Sequence, residues 1–229
     1  MDWASAIFPF ENRVEPSRFV RRIWRTRSVP APQFISVAVP YWEIVIACHA
    51  DGQREIFARG PETAASMADI PPDTEFFGIQ FELGVHMPQM PLPALVDGAT
   101  QLPLLSPRDF HLDGTSWAIP DFENADTFAA RLAAAGVITR DPLIEEVLLR
   151  KPLQLSDRSI QRRFLRSTGL TYGAVRQIER AERAAALLES GKGILDVAED
   201  LGFSDQAHLT RALRRYLGRT PGRILGGKV

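Results

Sequence analysis

The sequence lacks the residues on which several classes of protein depend. A single cysteine among 229 residues excludes an internal disulfide and a four-cysteine zinc site. No apolar run approaches the roughly 18 residues that suggest a membrane-spanning helix. The N-terminus has no basic segment leading into an apolar core, as a secretory signal would have. We therefore expect a cytoplasmic protein that has no membrane partner.

The near-neutral net charge of −1 conceals two halves of opposite sign. Residues 150–229 contain sixteen Lys and Arg against eight Asp and Glu, whereas residues 1–149 contain eleven against twenty. A strongly basic segment favours a polyanionic partner. The acidic half would repel nucleic acid at long range, so we expect it to have a different role.

Two helical patterns separated by a tight turn lie near the C-terminus. Ile194, Val197, Ala198 and Leu201 form one apolar stripe, Gly202 suits the turn, and we expect Ser204 to cap the next helix. On that helix Leu209, Ala212, Leu213 and Tyr216 would pack inward. The pattern predicts a helix-turn-helix whose outward residues suit a DNA major groove: Gln206, Thr210, Arg211, Arg214 and Arg215.

A similar basic helix is predicted at Ser156 to Thr168. Its expected cap is Ser156, its apolar residues are Ile160, Phe164 and Leu165, and Gly169 ends it. Its outward residues are Arg158, Gln161, Arg162, Arg163 and Arg166. A long helix from Tyr172 to Ser190, capped by Thr171, links the two units and adds Arg176, Arg180 and Arg183. Two such helices can enter major-groove segments about one turn, roughly 34 Å, apart.

These residues resemble the DNA-binding domain of the AraC/XylS transcription regulators, which has two helix-turn-helix units joined by a long helix. The resemblance covers about the last third of the chain and rests on S-IQRRF---TGL, ERA--AA-LL and ILDVAEDLGFSDQAHLTRALRRYLGRTPGRI. It implies base contacts by two sets of residues, which are Arg158, Gln161 and Arg162 in the first unit and Gln206, Ala207 and Arg211 in the second.

The first unit departs from that pattern. Asp141-Pro142 opens a helix predicted over Leu143 to Leu149, and Arg150-Lys151-Pro152 follows it directly. Proline disfavours helix in the residue before it, so too few residues remain for a second helix before Ser156. We expect the leading helix to be reduced to a turn and the second unit to be the principal base reader.

The first 120 residues are predicted to be mainly β-strand. Strands are expected at Phe34 to Val39, Trp42 to His49, Arg54 to Ala58 and Phe76 to Leu83, with a hairpin at Asp51-Gly52. A helix is expected at Asn124 to Gly136. The fold class is therefore α+β, in which a β-rich barrel or sandwich precedes an all-α double helix-turn-helix domain. We place the domains at 1–136 and 137–229, and the β-domain weakly resembles the cupin-like regulatory domains of such regulators.

A ligand site in the β-domain is the least determined feature of the sequence. Most of its sixteen aromatic residues should fill the core, but Glu43, Gln80, Glu82 or His86 could face a small, partly apolar effector. His49, His86 and His111 with Glu82 are residues of the types that a metal-dependent cupin enzyme uses, but no His-x-His spacing occurs. We expect neither a metal nor a cofactor, and we expect Cys48 to be an inert buried thiol.

The sequence thus predicts a transcription regulator that binds double-stranded DNA and is not an enzyme. Further expected partners are a small-molecule effector, a second copy of the chain in a homodimer, and RNA polymerase if the protein is an activator. Two alternatives stay open. One is a metal-dependent cupin-type enzyme, and the other is an interaction protein that has lost specific DNA binding.

Overall fold

The computed structural model describes residues 10–14, 17–28, 34–69 and 71–226. A β-rich part comes first and a helical part follows, as the sequence predicts. The strands, β1 to β12, are Glu11–Arg13, Val20–Arg27, Phe34–Ser36, Glu43–Cys48, Arg54–Arg59, Ser66–Ala68, Glu75–Phe81, Val85–His86, Ala99–Gln101, Asp109–Leu112, Thr115–Ala118 and Thr139–Arg140. The helices, α1 to α7, are Ala125–Ala134, Pro142–Leu148, Asp157–Thr168, Tyr172–Glu189, Ile194–Asp200, Gln206–Leu217 and Pro221–Leu225.

The main sheet has six antiparallel strands in the order β1-β2-β7-β4-β5-β9. Strands β4, β5 and β7 lie where the sequence predicts them, and the turn between β4 and β5 contains Gly52 at φ +82°. Among the described strands, β1 and β9 are the edges, so this sheet is open. The other described strands form three two-stranded pairs, β10 with β11, β12 with β8, and β3 with β6.

Strand β2 is a central strand that the sequence analysis missed. Its sequence, VRRIWRTR, is rich in arginine, yet Ile23 and Trp24 are buried and the charged side chains lie on partly exposed positions. Apolar and charged residues do not alternate strictly along it, so the usual signal of a half-buried strand is weak. The register shifts between Val20 and Arg22, which accounts for the broken alternation.

One face of the sheet packs against the core of the β-rich part. Ile23, Ile44 and Ile79 are fully or almost fully buried there, and the Trp42 and Phe81 rings stack with centroids 4.0 Å apart. Helix α1 closes this core through Phe128 and Leu132, and its bounds agree with the helix predicted at Asn124 to Gly136. Burial of this apolar surface supplies the main driving force for folding.

The opposite face of the sheet has Trp24 lying against Gly78. These residues are register partners on β2 and β7, and a Cβ at Gly78 would lie 2.2 Å from Cε2 of the Trp24 indole. The indole Nε1 donates a hydrogen bond of 2.9 Å to Glu43 Oε2 on β4. Only a residue without a side chain lets the ring lie this close to the sheet.

The helical part packs directly on the β-rich part. The backbone N–H of Ala38 donates to the carbonyl of Tyr216 at 2.8 Å, and that of Ala65 donates to the carbonyl of Arg215 at 2.7 Å. Both carbonyls belong to the last turn of α6, which has no partner for them within the helix. The C-terminal end of α6 is therefore held by backbone atoms of the β-rich part.

We expect Gly78→Ala to lower the free energy of unfolding by about 1 to 3 kcal/mol, because the new methyl group must displace the Trp24 ring. Chemical denaturation followed by far-UV circular dichroism measures the change. Gly173→Ala is the control, since a Cβ at Gly173 meets nothing within 4 Å. A Gly78→Ala protein as stable as the control would contradict the contact.

Candidate DNA interface

Helix α6 corresponds to the helix of the second unit that is predicted to contact DNA bases, here called its reading helix. Its cap is Asp205, whose side chain accepts a hydrogen bond of 2.6 Å from the His208 N–H. The expectation that Ser204 caps it is wrong, because the helix begins one residue later and the Ser204 hydroxyl contacts His208 Nδ1 and Asp205 instead. On the inner side of α6, its own residues Leu209, Leu213 and Leu217 are buried.

The outward side of α6 carries the residues that the sequence selects. Gln206, Ala207, Arg211, Arg214 and Arg215 are exposed, and 3.6 residues per turn place them on one side. Within the described part of the chain, the side chains of Gln206, Arg211 and Arg214 have no hydrogen-bond or ion-pair partner.

Two other residues of this side have contacts of their own. The Thr210 Oγ1 donates to the Gln206 carbonyl at 2.8 Å, and the Arg215 guanidinium lies 5.4 Å from the centre of the Tyr216 ring. Thr210 thus uses its hydroxyl proton within the helix. That these six residues contact DNA stays a prediction.

The turn before α6 is fixed by the linking helix α4. Gly202 has φ +69°, as a tight turn requires, and Phe203 is buried. The Arg180 guanidinium of α4 lies 4.2 Å from the centre of the Phe203 ring and donates to the Gly202 carbonyl. Helix α5, through Val197 and Ala198, completes this packed unit.

The arginines of the linking helix make contacts within the chain. Arg180 contacts Phe203 and Gly202. Arg176 forms an ion pair with Glu179 at 3.4 Å, and Arg183 Nε donates a hydrogen bond to the Glu179 carbonyl. The basic stripe expected along α4 is therefore largely engaged in the fold.

Helix α3 is the reading helix of the first unit. Ser156 caps it and Gly169 ends it at φ +78°, both as predicted. Arg158, Gln161, Arg162 and Arg166 are exposed, and no residue in the described ranges bonds their side chains. Their contact with DNA stays a prediction.

Leu165 corrects the expected apolar side of α3. The sequence analysis placed it inward with Ile160 and Phe164, but its side chain is 39% exposed, whereas Phe164 is buried. Leu165 follows Gln161 by four residues and Arg162 by three, so it shares their side of the helix. Helical spacing alone could therefore have predicted that Leu165 faces outward. Leu165 adds an apolar side chain to the outward side of α3.

The first unit lacks its leading helix, as the sequence predicts. Helix α2 ends at Leu148, and no helix or strand occurs between it and α3. Another residue anchors α3 in its place. Asp141, which caps α2 by accepting from the Leu143 N–H, also accepts two hydrogen bonds of 2.7 Å from Arg163 and one of 2.9 Å from the Ser167 hydroxyl.

The Arg163 guanidinium is thereby bound to the buried Asp141 carboxylate, although the Arg163 side chain as a whole is 42% exposed. Two parallel N–H···O bonds to one carboxylate form the strong bidentate geometry of arginine. Five polar residues of α3 are predicted to contact DNA. Among the described contacts, Arg163 is the one of these five whose side chain is hydrogen-bonded within the protein. The sequence analysis saw Asp141 as a helix start and missed its role as an anchor.

Asp141 stays ionised because of these partners. Burial by itself would raise the pKa of its carboxyl group, but the hydrogen bonds from Arg163, Ser167 and the Leu143 N–H lower this pKa below its ordinary value. A depressed folded-state pKa contributes stability above the unfolded value of about 3.9, and this stability is lost as the pH falls through the folded pKa.

Of the four residues expected to face an effector, three lie around one cavity and the fourth, His86, does not. Glu43, Gln80 and Glu82 line one cavity of about 580 Å³ between the main sheet and α4. His86 lies elsewhere, on β8, where its ring contacts the Gly84 carbonyl at 3.2 Å. His49 contacts Glu55 at 2.9 Å, and no group of three or more metal-binding residues occurs in the part of the chain that was searched.

Comparison with known proteins locates the relationship in the helical part. The profile of a family described as "Helix-turn-helix domain" matches residues 149–226. The HTH-type transcriptional regulator RipA of Corynebacterium glutamicum is 40% identical over 75 residues, which cover 33% of this chain and 23% of that protein. RipA of Corynebacterium diphtheriae is 36% identical over 103 residues, covering 45% of this chain and 30% of that protein.

The chain thus spans less than a third of the length of these relatives. Among solved structures, ToxT from Vibrio cholerae aligns with a TM-score of 0.42 and 10% sequence identity, covering 96% of this chain and 99% of that chain. A second ToxT structure aligns with a TM-score of 0.40 and 9% identity, covering 95% and 97%.

Residues 149–226 are therefore a helix-turn-helix domain. This domain is of the AraC type, as the sequence predicts, and it contains the two reading helices α3 and α6. Among the helices of the described residues, none has both the length and the apolar composition of a membrane-spanning segment.

We expect Arg163→Gln to lower the free energy of unfolding by about 3 kcal/mol near neutral pH, because it leaves a buried carboxylate without its main partner. Urea denaturation measures this loss. The difference from the unchanged protein should narrow as the pH falls through the lowered folded-state pKa of the Asp141 carboxyl group, because a protonated Asp141 no longer needs the ion pair.

The matched control is Arg162→Gln on the same helix, whose exposed side chain should change stability by less than about 0.5 kcal/mol. Equal losses for Arg163→Gln and Arg162→Gln would show that the Asp141 pair does not anchor α3.

Proposed function

We propose that this protein is a sequence-specific, DNA-binding transcription regulator. The observation that carries the proposal is the outward side of α6, where Gln206, Arg211 and Arg214 are exposed and unengaged on a helix whose other side is firmly packed. Glutamine and arginine can form paired hydrogen bonds with base edges. The matched relatives are named as transcriptional regulators, which supports the same function.

The two reading helices have unequal roles in this proposal. Helix α6 is the principal base reader through Gln206, Thr210 and Arg211, with Ala207 offering its methyl group to a thymine methyl. Arg214 and Arg215 neutralise phosphates. Helix α3 contributes Arg158, Gln161, Arg162 and Arg166, while Arg163 positions the helix through Asp141 instead of contacting DNA.

The division of labour follows the charge of the two halves. Residues 1–136 form a regulatory domain for an effector, for homodimer formation, or for both, and residues 137–229 form the DNA-binding domain. The protein acts in the cytoplasm, contacts RNA polymerase if it is an activator, and catalyses no reaction. The cavity against α4 supports an effector, because its volume of about 580 Å³ suits a small molecule.

Selection from random duplex DNA by the full-length protein, at about 0.15 M salt, tests this function. We expect one enriched motif, and a second patch one helical turn away if α3 also reads bases. Arg211→Ala should weaken binding by about 1 to 3 kcal/mol and relax the preference at one position. Absence of any enriched motif would contradict the proposal.

Arg215→Ala is expected to act differently, because a phosphate contact carries no sequence information. It should weaken binding to all duplexes alike and reduce the slope of log affinity against log salt by about one. Titrations of the selected duplex and a scrambled duplex at several salt concentrations measure both effects. A loss confined to the selected duplex would assign Arg215 to base recognition instead.

A further inference from the structure

The cavity beside α4 is built from both parts of the chain. Its floor is the face of the main sheet that carries Trp24 and Gln80, and its opposite wall is α4, through Glu182 and Ala185. Leu217, the last residue of α6, also lines it. A volume of about 580 Å³ lies within the range of roughly 300 to 1,000 Å³ that small-molecule sites occupy.

A polar row crosses the floor of this cavity. Arg22 on β2, Gln80 on β7, Glu43 on β4 and Arg59 on β5 are successive register partners across four neighbouring strands. Gln80 is only 4% exposed, and its side-chain amide has no hydrogen-bond partner among the residues that the structure describes. The Gln80 amide lines the cavity and keeps some access to solvent there, so a bound molecule can supply its hydrogen-bond partners.

The lining has more carboxylates than guanidinium groups. Among the residues that the structure describes, five glutamates and three arginines line the cavity. One of these arginines, Arg59, forms ion pairs with two of the glutamates. Its guanidinium group lies 2.8 Å from Glu62 Oε1 and 3.8 Å from Glu43 Oε1. The five are Glu43, Glu62, Glu82, Glu182 and Glu189.

The Glu62 carboxyl group, which lines the same cavity, is less easily ionised than an exposed one, chiefly because it is largely removed from solvent. Burial raises the pKa of its carboxyl group, although Arg59 and the Ser36 hydroxyl act in the opposite direction. A bound cation would stabilise the ionised form of this group.

The remaining lining is apolar and aromatic. Trp24, Val37, Val39 and Tyr41 contribute to it together with Ala185. The Arg21 guanidinium lies 4.3 Å from the centre of the Tyr41 ring and so occupies one face of it. A ligand that matches this cavity has an apolar body and a single positively charged, hydrogen-bonding head.

We propose that this cavity binds a small organic cation, an ammonium or guanidinium group on an apolar body, with its head at Gln80, Glu43 and Glu62. Gln80 accepts a hydrogen bond from the head through its amide oxygen, and the carboxylates neutralise its charge. The ligand touches α4 and the end of α6, so its binding is coupled to DNA affinity. This coupling, unlike the binding itself, rests on the proposed function.

Calorimetric titration of the full-length protein without DNA tests the ligand class. The probes are phenethylamine and octylamine, each compared with a carboxylate of similar body, hydrocinnamate and nonanoate. We expect the ammonium ions to bind at least tenfold more tightly than their matched carboxylates. Equal or tighter binding of the carboxylates, or no binding of either amine at millimolar concentration, would overturn the proposal.

Two substitutions locate the cation within the cavity. Glu43→Gln and Gln80→Leu should each weaken amine binding by about ten- to a hundredfold, as expected when a hydrogen bond to a charged group is lost. Glu75→Gln is the matched control, because Glu75 lies on the same sheet but is exposed and outside this cavity. Thermal unfolding monitors whether each variant is folded.

A folded Glu43→Gln protein that binds the amine as well as the Glu75→Gln control does would place the cation elsewhere. Loss of binding by all three variants would equally contradict the assigned position.

The effect on DNA is measured separately, by titrating the selected duplex with and without saturating amine. We expect the DNA affinity to change by at least about fivefold, and the amine affinity to change by the same factor when DNA is bound. Amine binding that leaves DNA affinity unchanged would remove the coupling but keep the site. If the selection yields no DNA motif, the proposed function is wrong. The calorimetric test of amine binding is made without DNA, so it still decides whether the cavity binds the cation.

Discussion

The position of helix α3 depends on one buried carboxylate, Asp141. It follows strand β12, caps α2 and binds α3 through Arg163 and Ser167, while its own backbone N–H donates to the Gly84 carbonyl. A single side chain thus connects the sheet-forming part to a reading helix. A buried charge is favourable only when such hydrogen bonds satisfy it, so the position of α3 and the ionisation of Asp141 depend on each other.

This anchor explains how a first unit without its leading helix can keep a defined geometry. In an ordinary helix-turn-helix, the leading helix supports the reading helix by packing. Here Phe164 packs against apolar residues of α2, and the ion pair between Arg163 and Asp141 fixes the orientation of α3. The second unit uses a different device, because Arg180 lies over Phe203 and bonds the turn itself. Each unit is therefore oriented by an arginine whose guanidinium group is already bound within the fold.

Much of the architecture could be predicted from the sequence because its signals are local. Caps at Ser156 and Thr171 and left-handed glycines at 169, 191, 202 and 218 mark the helix ends correctly. The errors fall where tertiary contacts decide. The arginines of β2 obscured a central strand, and Gln80 acquires its neighbours only from four strands in register. Leu165 is an error of another kind, because its spacing from Gln161 and Arg162 already places it on the outward side of α3.

The docking of α6 on Ala38 and Ala65 has a further consequence, because it is made by main-chain N–H and carbonyl groups. Any residue except proline can supply such an N–H. The half-buried Ala65 can therefore be substituted without breaking the connection, whereas Ala38 is fully buried and leaves little room for a larger side chain. Replacement of the Arg215 or Tyr216 side chain by alanine would leave both hydrogen bonds in place. Related proteins could share this joint between their two halves while their sequences agree only in the helical part.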